Sequence, residues 1–441
     1  MADVMLSMTS LLFIIVIHIS YRAAGEEDVT PTSRFQSYLR INTAHPKPDY
    51  STAVSFLASF SRSLNLTVQT LYFTPEKDKP VLLVTWIGSA PSLPSIFFNS
   101  HLDSVPADPS EWLHPPFAAF KDSDGRIYGR GAQDDKCISI QQLEAIGRLK
   151  ARGFNPTRTV HISFVPEEEV GGSDGAEKFI NSPQFEDLKV GLVVGEGQAS
   201  TTDEYRLFFA DTCPWKVHIT AKGDPGHGST MYDNGAVENL MKSMELINRF
   251  RDAQFDMVKS GKLMNSEVLS VNPVYIKAGL ASPSGFVMNM QPSEATVGLD
   301  LRLPPTIDPE AVKKMIAEEW APSWRNLSYK IDEFGPTSDK MGRALMTSVD
   351  NNPWWGAFQR AVNAGGGRIS KPEILASTTD ARFARRLGIP AFGFSPMKNT
   401  PILLHEANEF LNEEIFLNGI EVFEHLIMSL SSLAEHQSAE Y

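Results

Sequence analysis

Apolar runs that stop at carboxylates or histidine constrain this chain most. "SIFFNSHLD" (Ser95–Asp103) ends on His101 and Asp103, "TVHISFVP" (Thr159–Pro166) runs into Glu167, Glu168 and Glu169, and "VGLVVG" (Val190–Gly195) is followed by Glu196. Near-continuous apolar runs of this length read as strands buried on both faces, an environment that only covering helices provide. "VLLVTWIG" (Val81–Gly88) and the amphipathic stretch "CISIQQLEAIGRLKARG" (Cys137–Gly153) fit that pattern and predict an α/β sheet with helices on both faces. In such sheets ligands bind beyond the strand ends, which is where the polar residues fall here.

At 441 residues the chain is long enough for two or three compact units. From Trp215 the pattern changes. Strands are expected near Trp215–Ala221, Val268–Lys277, Glu294–Leu303 and Leu327–Phe334, with helices near Val237–Phe255 and Pro309–Trp320. The order β-α-β-β-α-β is the split βαβ, ferredoxin-like arrangement, read as a domain inserted over residues 212–336. The α/β domain then has a first part over 26–211 and a second over 337–441, with "IPAFGFSP" (Ile389–Pro396) as a strand. Glu413–Leu433 is a final helix whose Ile415, Phe416, Ile420, Phe423, Ile427 and Leu430 form one stripe, capped by Asn412.

A formal charge of −13 argues against a phosphate backbone, so no nucleic-acid partner is expected. Residues 1–25, with the charge-free apolar run Met5–Ser20, read as a cleaved signal peptide, so no stable membrane insertion is expected and the secretory route is: extracellular space, ER or vacuole. Cys137 and Cys213 are too few for a disulfide framework, and the sequence leaves their pairing open. Asn65-Leu66-Thr67 and Asn326-Leu327-Ser328 are glycan acceptor triplets on that route.

Four clusters carry chemistry. In "HLDSVP", His101 and Asp103 stand two apart and share a face, an imidazole ligand with a supporting acid, or else a polar strand-to-loop turn. "GRGAQDDK" (Gly129–Lys136) offers Asp134 as a carboxylate able to bridge two metal ions about 3.5–4 Å apart, or a plain helix cap by Asp134 or Asp135. In "FVPEEEVGG" (Phe164–Gly172), Glu169 can bind metal while its neighbour Glu168 faces substrate as general base; a solvated loop is the alternative. "LLHEANEF" (Leu403–Phe410) supplies His405.

With "NSHLDSVP", "YGRGAQDDKC", "FVPEEEVGG", "GDPGHGS", "NPWW", "STTDARF", "GFSPMKNTP" and "LLHEANE" in this order, the chain resembles the M20 family of zinc peptidases and amidohydrolases, and within it the aminoacylase-1 proteins. The resemblance implies a dinuclear zinc centre, an inserted lid domain and a homodimer formed through that lid. It implies Asp134 as bridging ligand, His101 on one zinc, Glu169 and His405 on the other, Glu168 as general base and Asp103 as the assisting acid. It further implies that His227 of "GHGS" reaches the partner's site to hold the oxyanion, and that Asn289, Arg302 and Arg382 contact substrate. Arg382 suits a carboxylate because its planar fork binds both oxygens.

The chain departs from that pattern at "HEANE", where the family more often reads His-Asp-His, and at Gly195. Where aminoacylase-1 proteins have Asp-Glu-Gly, it has Gly195-Glu196-Gly197, so the further ligand of the His101 zinc is either absent or supplied by Glu196. One step along a strand turns a side chain to the opposite face, which counts against Glu196; the freedom of the preceding glycine counts for it. The expected function is hydrolysis of N-acyl-L-amino acids to a carboxylate and an amino acid by a zinc-held hydroxide with Glu168 moving the proton. The alternatives are a ligand-binding relative with an impaired metal site and no turnover, and an M20 peptidase.

Overall fold

The computed structural model describes residues 29–350 and 352–434; the signal-peptide reading of 1–25 lies outside them. The apolar runs do form strands. Thr67–Tyr72, Pro80–Trp86, Val160–Val165, Ser95–His101, Val190–Gly195, Ala391–Gly393, Phe208–Asp211 and Glu373–Leu375 lie side by side in that order in one eight-stranded sheet. Val160–Val165, Ser95–His101, Val190–Gly195 and Ala391–Gly393 run parallel, so their carboxyl ends share one edge.

Alternate residues of these strands feed two separate cores, as a period of two requires. Ile96, Phe98, Ile162, Phe164, Leu192 and Val194 pack on one face with Lys136–Ala151, Pro353–Ala364 and Glu413–Ser431. Phe97, Val165 and Val193 pack on the other with Phe179, Phe185 and Phe383 from short helices. The fold is therefore mixed α/β with helices on both faces. Each buried Phe or Ile contributes about 1.5–3 kcal/mol. In Glu413–Ser431, Phe416, Ile420, Phe423, Ile427 and Leu430 are buried and Asn412 Oδ1 accepts the Glu414 N–H at 2.9 Å.

Residues 213–333 hold a second sheet, ordered Ser270–Ala278, Glu294–Leu303, Cys213–Lys222, Leu327–Glu333 and antiparallel throughout. Ala236–Lys259 and Pro309–Met315 back it, the latter continuing as a π turn over Ile316–Trp320. Its core is its own, built on Trp215, Val217, Ile219, Leu240, Val297, Leu299 and Trp320. Cys137 and Cys213 are both buried and free. Among the described residues no helix is long and apolar enough to cross a membrane.

Candidate metal centre

The edge shared by the four parallel strands gathers the acidic clusters. His101 is the last residue of its strand, Glu196 follows Gly195, and Glu168–Val170 form a 3-10 turn just past Val165. The three glutamates divide as a turn must divide them. Glu167 pairs with Lys79 at 3.0 Å, leaving Glu168 and Glu169 to face inward. The chain then leaves through Gly171 and Gly172 at positive φ, and a Cβ on Gly172 would lie 2.4 Å from Asp380 Oδ1.

Two histidines meet on one aspartate. His101 Nε2 lies 3.0 Å from Asp134 Oδ1 and 3.2 Å from Glu196 Oε2. His405 Nε2 lies 3.3 Å from Asp134 Oδ2 and 3.0 Å from Glu169 Oε2. Within His101–Asp134–Glu196, and within Asp134–Glu169–His405, the donor atoms all lie within 4.8 Å of one another. Each set is one nitrogen and two carboxylates, the donor chemistry of a catalytic zinc with three protein ligands. Glu169 Oε1 is buried with no hydrogen-bond partner, as an oxygen meant for a cation would be. The residues present fit a pair of divalent ions sharing Asp134.

The electrostatics agree. Burial pushes Glu196 up to about 7, although His101 pulls it down. Glu168 is held well above the usual carboxylate range by burial, Glu196 and Asp380. Burial raises Asp380 to about 6, and hydrogen bonds to Asp134 and Glu169 raise His405 to about 10. So many carboxylates buried together are favoured in their charged form by positive charge placed among them.

The strand ends, their spacing and this geometry coincide with one family. The model of the M20/M25/M40 peptidase family matches residues 97–429. The chain belongs to the M20 family. It is 40% identical to aminoacylase-1 of Sus scrofa over 410 residues, covering 93% of this chain and 97% of that one. It is 39% identical to aminoacylase-1 of Dictyostelium discoideum, covering 90% and 97%. These relatives make the chain a hydrolase of the amidohydrolase type. Among solved structures, an M20 metallo-carboxypeptidase of Sulfolobus solfataricus superposes with a TM-score of 0.70 at 18% identity, covering 92% of this chain and all of that one. A Bacillus subtilis M20 peptidase described as binding a dinuclear metal gives 0.62 at 16%, covering 91% and 98%. At those identities they share the fold.

In this M20 chain the support of the centre was partly invisible in sequence. A carbonyl only accepts, so His101 Nδ1–H donates to Asp103 O at 2.9 Å and Nε2 is left facing the carboxylates. Asp103 Oδ1 accepts the Glu168 N–H at 3.2 Å, and Oδ2 accepts the Glu169 N–H at 3.1 Å and meets His45 Nε2 at 3.0 Å. Burial opposes its charge, but His101, His45 and the Glu169 N–H hold it at about 2. Asp135, read as a possible helix cap, makes no side-chain cap and instead accepts the His101 N–H. His45, Asp135, Asp380 and Glu409 stand in no ligand-like spacing; only a buried charge in a contact map reveals them.

Of the two alternatives left open at Gly195, the geometry favours Glu196 over strand alternation. Gly195 is the last strand residue, so the period of two no longer governs Glu196, and its carboxylate reaches His101. Arg382 is likewise no free fork. It is buried, its Nη1 and Nη2 donate to Thr379 O at 2.7 Å and Gly171 O at 2.8 Å, and it joins two loops beside the centre. Arg302 is engaged by Asp300 at 2.8 Å in the second sheet. His227 and Asn289 are exposed and adjacent there: the Gly228 N–H donates to Asn289 O at 2.7 Å, and His227 Nδ1 accepts from Ser229. Neither they nor Arg302 belong to the two triads.

Proposed function

We propose that this amidohydrolase is a zinc enzyme that cleaves N-acyl-L-amino acids to a carboxylate and a free L-amino acid. The observation that carries the reading is Asp134 presenting one oxygen to each of two histidine–carboxylate sets, with Glu168 beside them. Its substrate class rests on the similarity to aminoacylase-1 proteins over nearly the whole chain.

His101, Asp134 and Glu196 would hold one ion, and Asp134, Glu169 and His405 the other. When bound, zinc supplies Lewis acidity that polarises an amide carbonyl and brings the pKa of water toward about 7. Glu168 then takes a proton from the attacking water and gives it to the leaving nitrogen, a role suited to a carboxyl already held high. Asp103 fixes the backbone of Glu168 and so its aim. His227 belongs to this proposal as an oxyanion donor delivered across a homodimer formed by the second sheet unit, with Asn289 next to it. The secretory route is likewise part of the proposal.

The non-catalytic reading loses its motive, because Glu196 stands where Gly195 left no carboxylate. The deciding experiment combines metal analysis with hydrolysis of N-acetyl-L-methionine and of a dipeptide. Turnover of the acyl amino acid with one zinc per triad supports the proposal. Cleavage of the dipeptide alone would move the enzyme to the peptidases, and cleavage of neither would remove the reading.

A further inference from the structure

We infer that Glu409, working through Arg130, is a positioning residue that locks together the two loops carrying Asp134 and His405; this rests on the dinuclear reading of the centre. Glu409 is fully buried, and every hydrogen-bond donor to its carboxylate comes from the loop that ends in Asp134. Oε1 accepts the N–H of Gln133 at 2.6 Å and of Asp134 at 3.3 Å. Oε2 accepts the Gly131 N–H at 3.1 Å and Arg130 Nη1 at 2.8 Å.

Arg130 completes the clasp from the other side. Its Nη2 donates to the carbonyl of His405 at 3.3 Å, and the guanidinium stacks on Trp112 at 5.2 Å. One guanidinium thus joins the carboxylate that holds Asp134 to the backbone of the histidine that faces Asp134. Gln133 adds a second strap, its Nε2 donating to Pro401 O and Phe410 O and its Oε1 accepting the Leu403 N–H.

The chemistry needs such a device because Asp134 must aim its two oxygens at two different histidines. A small rotation of its backbone would serve one and lose the other. A buried carboxylate with several charged or backbone donors is a stiff anchor, since each charge-assisted hydrogen bond is strong and a partner lost inside the protein is not replaced by water. Glutamine cannot substitute. It offers one acceptor oxygen, and its NH2 would face N–H donors.

The test uses full-length Glu409→Gln, Glu409→Asp and Arg130→Lys, with zinc affinity measured by competition against a chromophoric chelator. kcat and KM for N-acetyl-L-methionine and the melting of the zinc-free proteins are measured beside it. Expected for Glu409→Gln is a zinc affinity lower by about 10–100-fold, the usual range for groups that orient metal ligands. kcat should fall with it while KM stays near wild type, and Glu409→Asp, which keeps the charge, should recover part of both. Arg130→Lys, which keeps the charge but not the fork, should also weaken zinc, and it decides the matter if Glu409→Gln does not fold. Variants that melt earlier yet bind zinc and turn over like wild type would make the clasp mere scaffold and overturn the inference. A wild-type chain that takes up no zinc would remove the dinuclear reading and the clasp with it.

Discussion

Glu196 Oε2 lies 3.2 Å from His101 Nε2, so the carboxylate just beyond the strand, and not the strand's last residue, completes the donor set on His101. Gly195 has room for a side chain, since an added Cβ would meet only the Ala381 methyl at 3.8 Å. Gly195→Asp should therefore fold but gain no zinc, whereas Glu196→Gln should lose about one ion per chain and most activity. Metal analysis of the two variants checks this; a gain in Gly195→Asp would reopen the vacancy.

Glu168→Ala should lower kcat by about 10²–10⁴-fold, the usual worth of a positioned proton carrier, with zinc content unchanged. Steady-state kinetics beside metal analysis reads both. A variant as active as wild type removes Glu168 from the chemistry.

His45→Ala should reduce activity by about 10–100-fold, because Asp103 loses the partner that fixes the oxygen receiving the Glu169 N–H. His45→Gln, which can donate to the same carboxylate, should restore much of it. Equal loss in both variants would mean that the imidazole itself, not its hydrogen bond, matters.

As pH rises, the stability that His405 contributes and the affinity for zinc should change in opposite senses. Hydrogen bonds that His405 donates to Asp134 and Glu169 raise it to about 10, above its unfolded value. The stability it contributes there is fully present below about 6.5 and is lost as pH rises toward 10. A ligand histidine must be neutral, so zinc displaces that proton and zinc affinity should rise over the same range. Calorimetric titrations in buffers of different ionisation enthalpy would register the released proton, and an affinity independent of pH between 6 and 8 would contradict the arrangement.

Burial lowers His161 to about 4, where its Nδ1 meets Thr85 Oγ1 at 2.9 Å. The unfolded chain binds the proton first, so stability is lost as pH falls from about 6.5 to 4, by roughly 3 kcal/mol from this residue. The difference between wild type and His161→Gln in urea unfolding across that window isolates the term. Parallel stability curves would show that His161 does not carry it.

Local pattern was sufficient for the central strands and the second sheet unit, because a period of two or a stripe every three to four residues states which face must be buried. Thr67–Tyr72, Phe208–Asp211, Glu373–Leu375 and the helices Tyr50–Ser63 and Pro353–Ala364 were not read from it. Glu294–Leu303 and the Asn412 cap follow from the sequence residue for residue. His101, Glu168, Glu169 and His405 were legible because they sit where apolar runs stop, and Asp134 because it lies in a Gly-rich loop that opens a helix. His45, Asp380 and Glu409 were not, since nothing local marks a polar residue whose partner lies far along the chain.

The sequence by itself therefore determined the central strands, the strand ends where chemistry collects and the M20 kinship. Only the tertiary structure decided that Glu196 and not Gly195 faces His101, that Arg382 braces two loops, and which acids support the ligands. The reason is physical: periodicity fixes direction only within a regular element. Past its last residue, a side chain's direction is set by the neighbours that the fold brings to it.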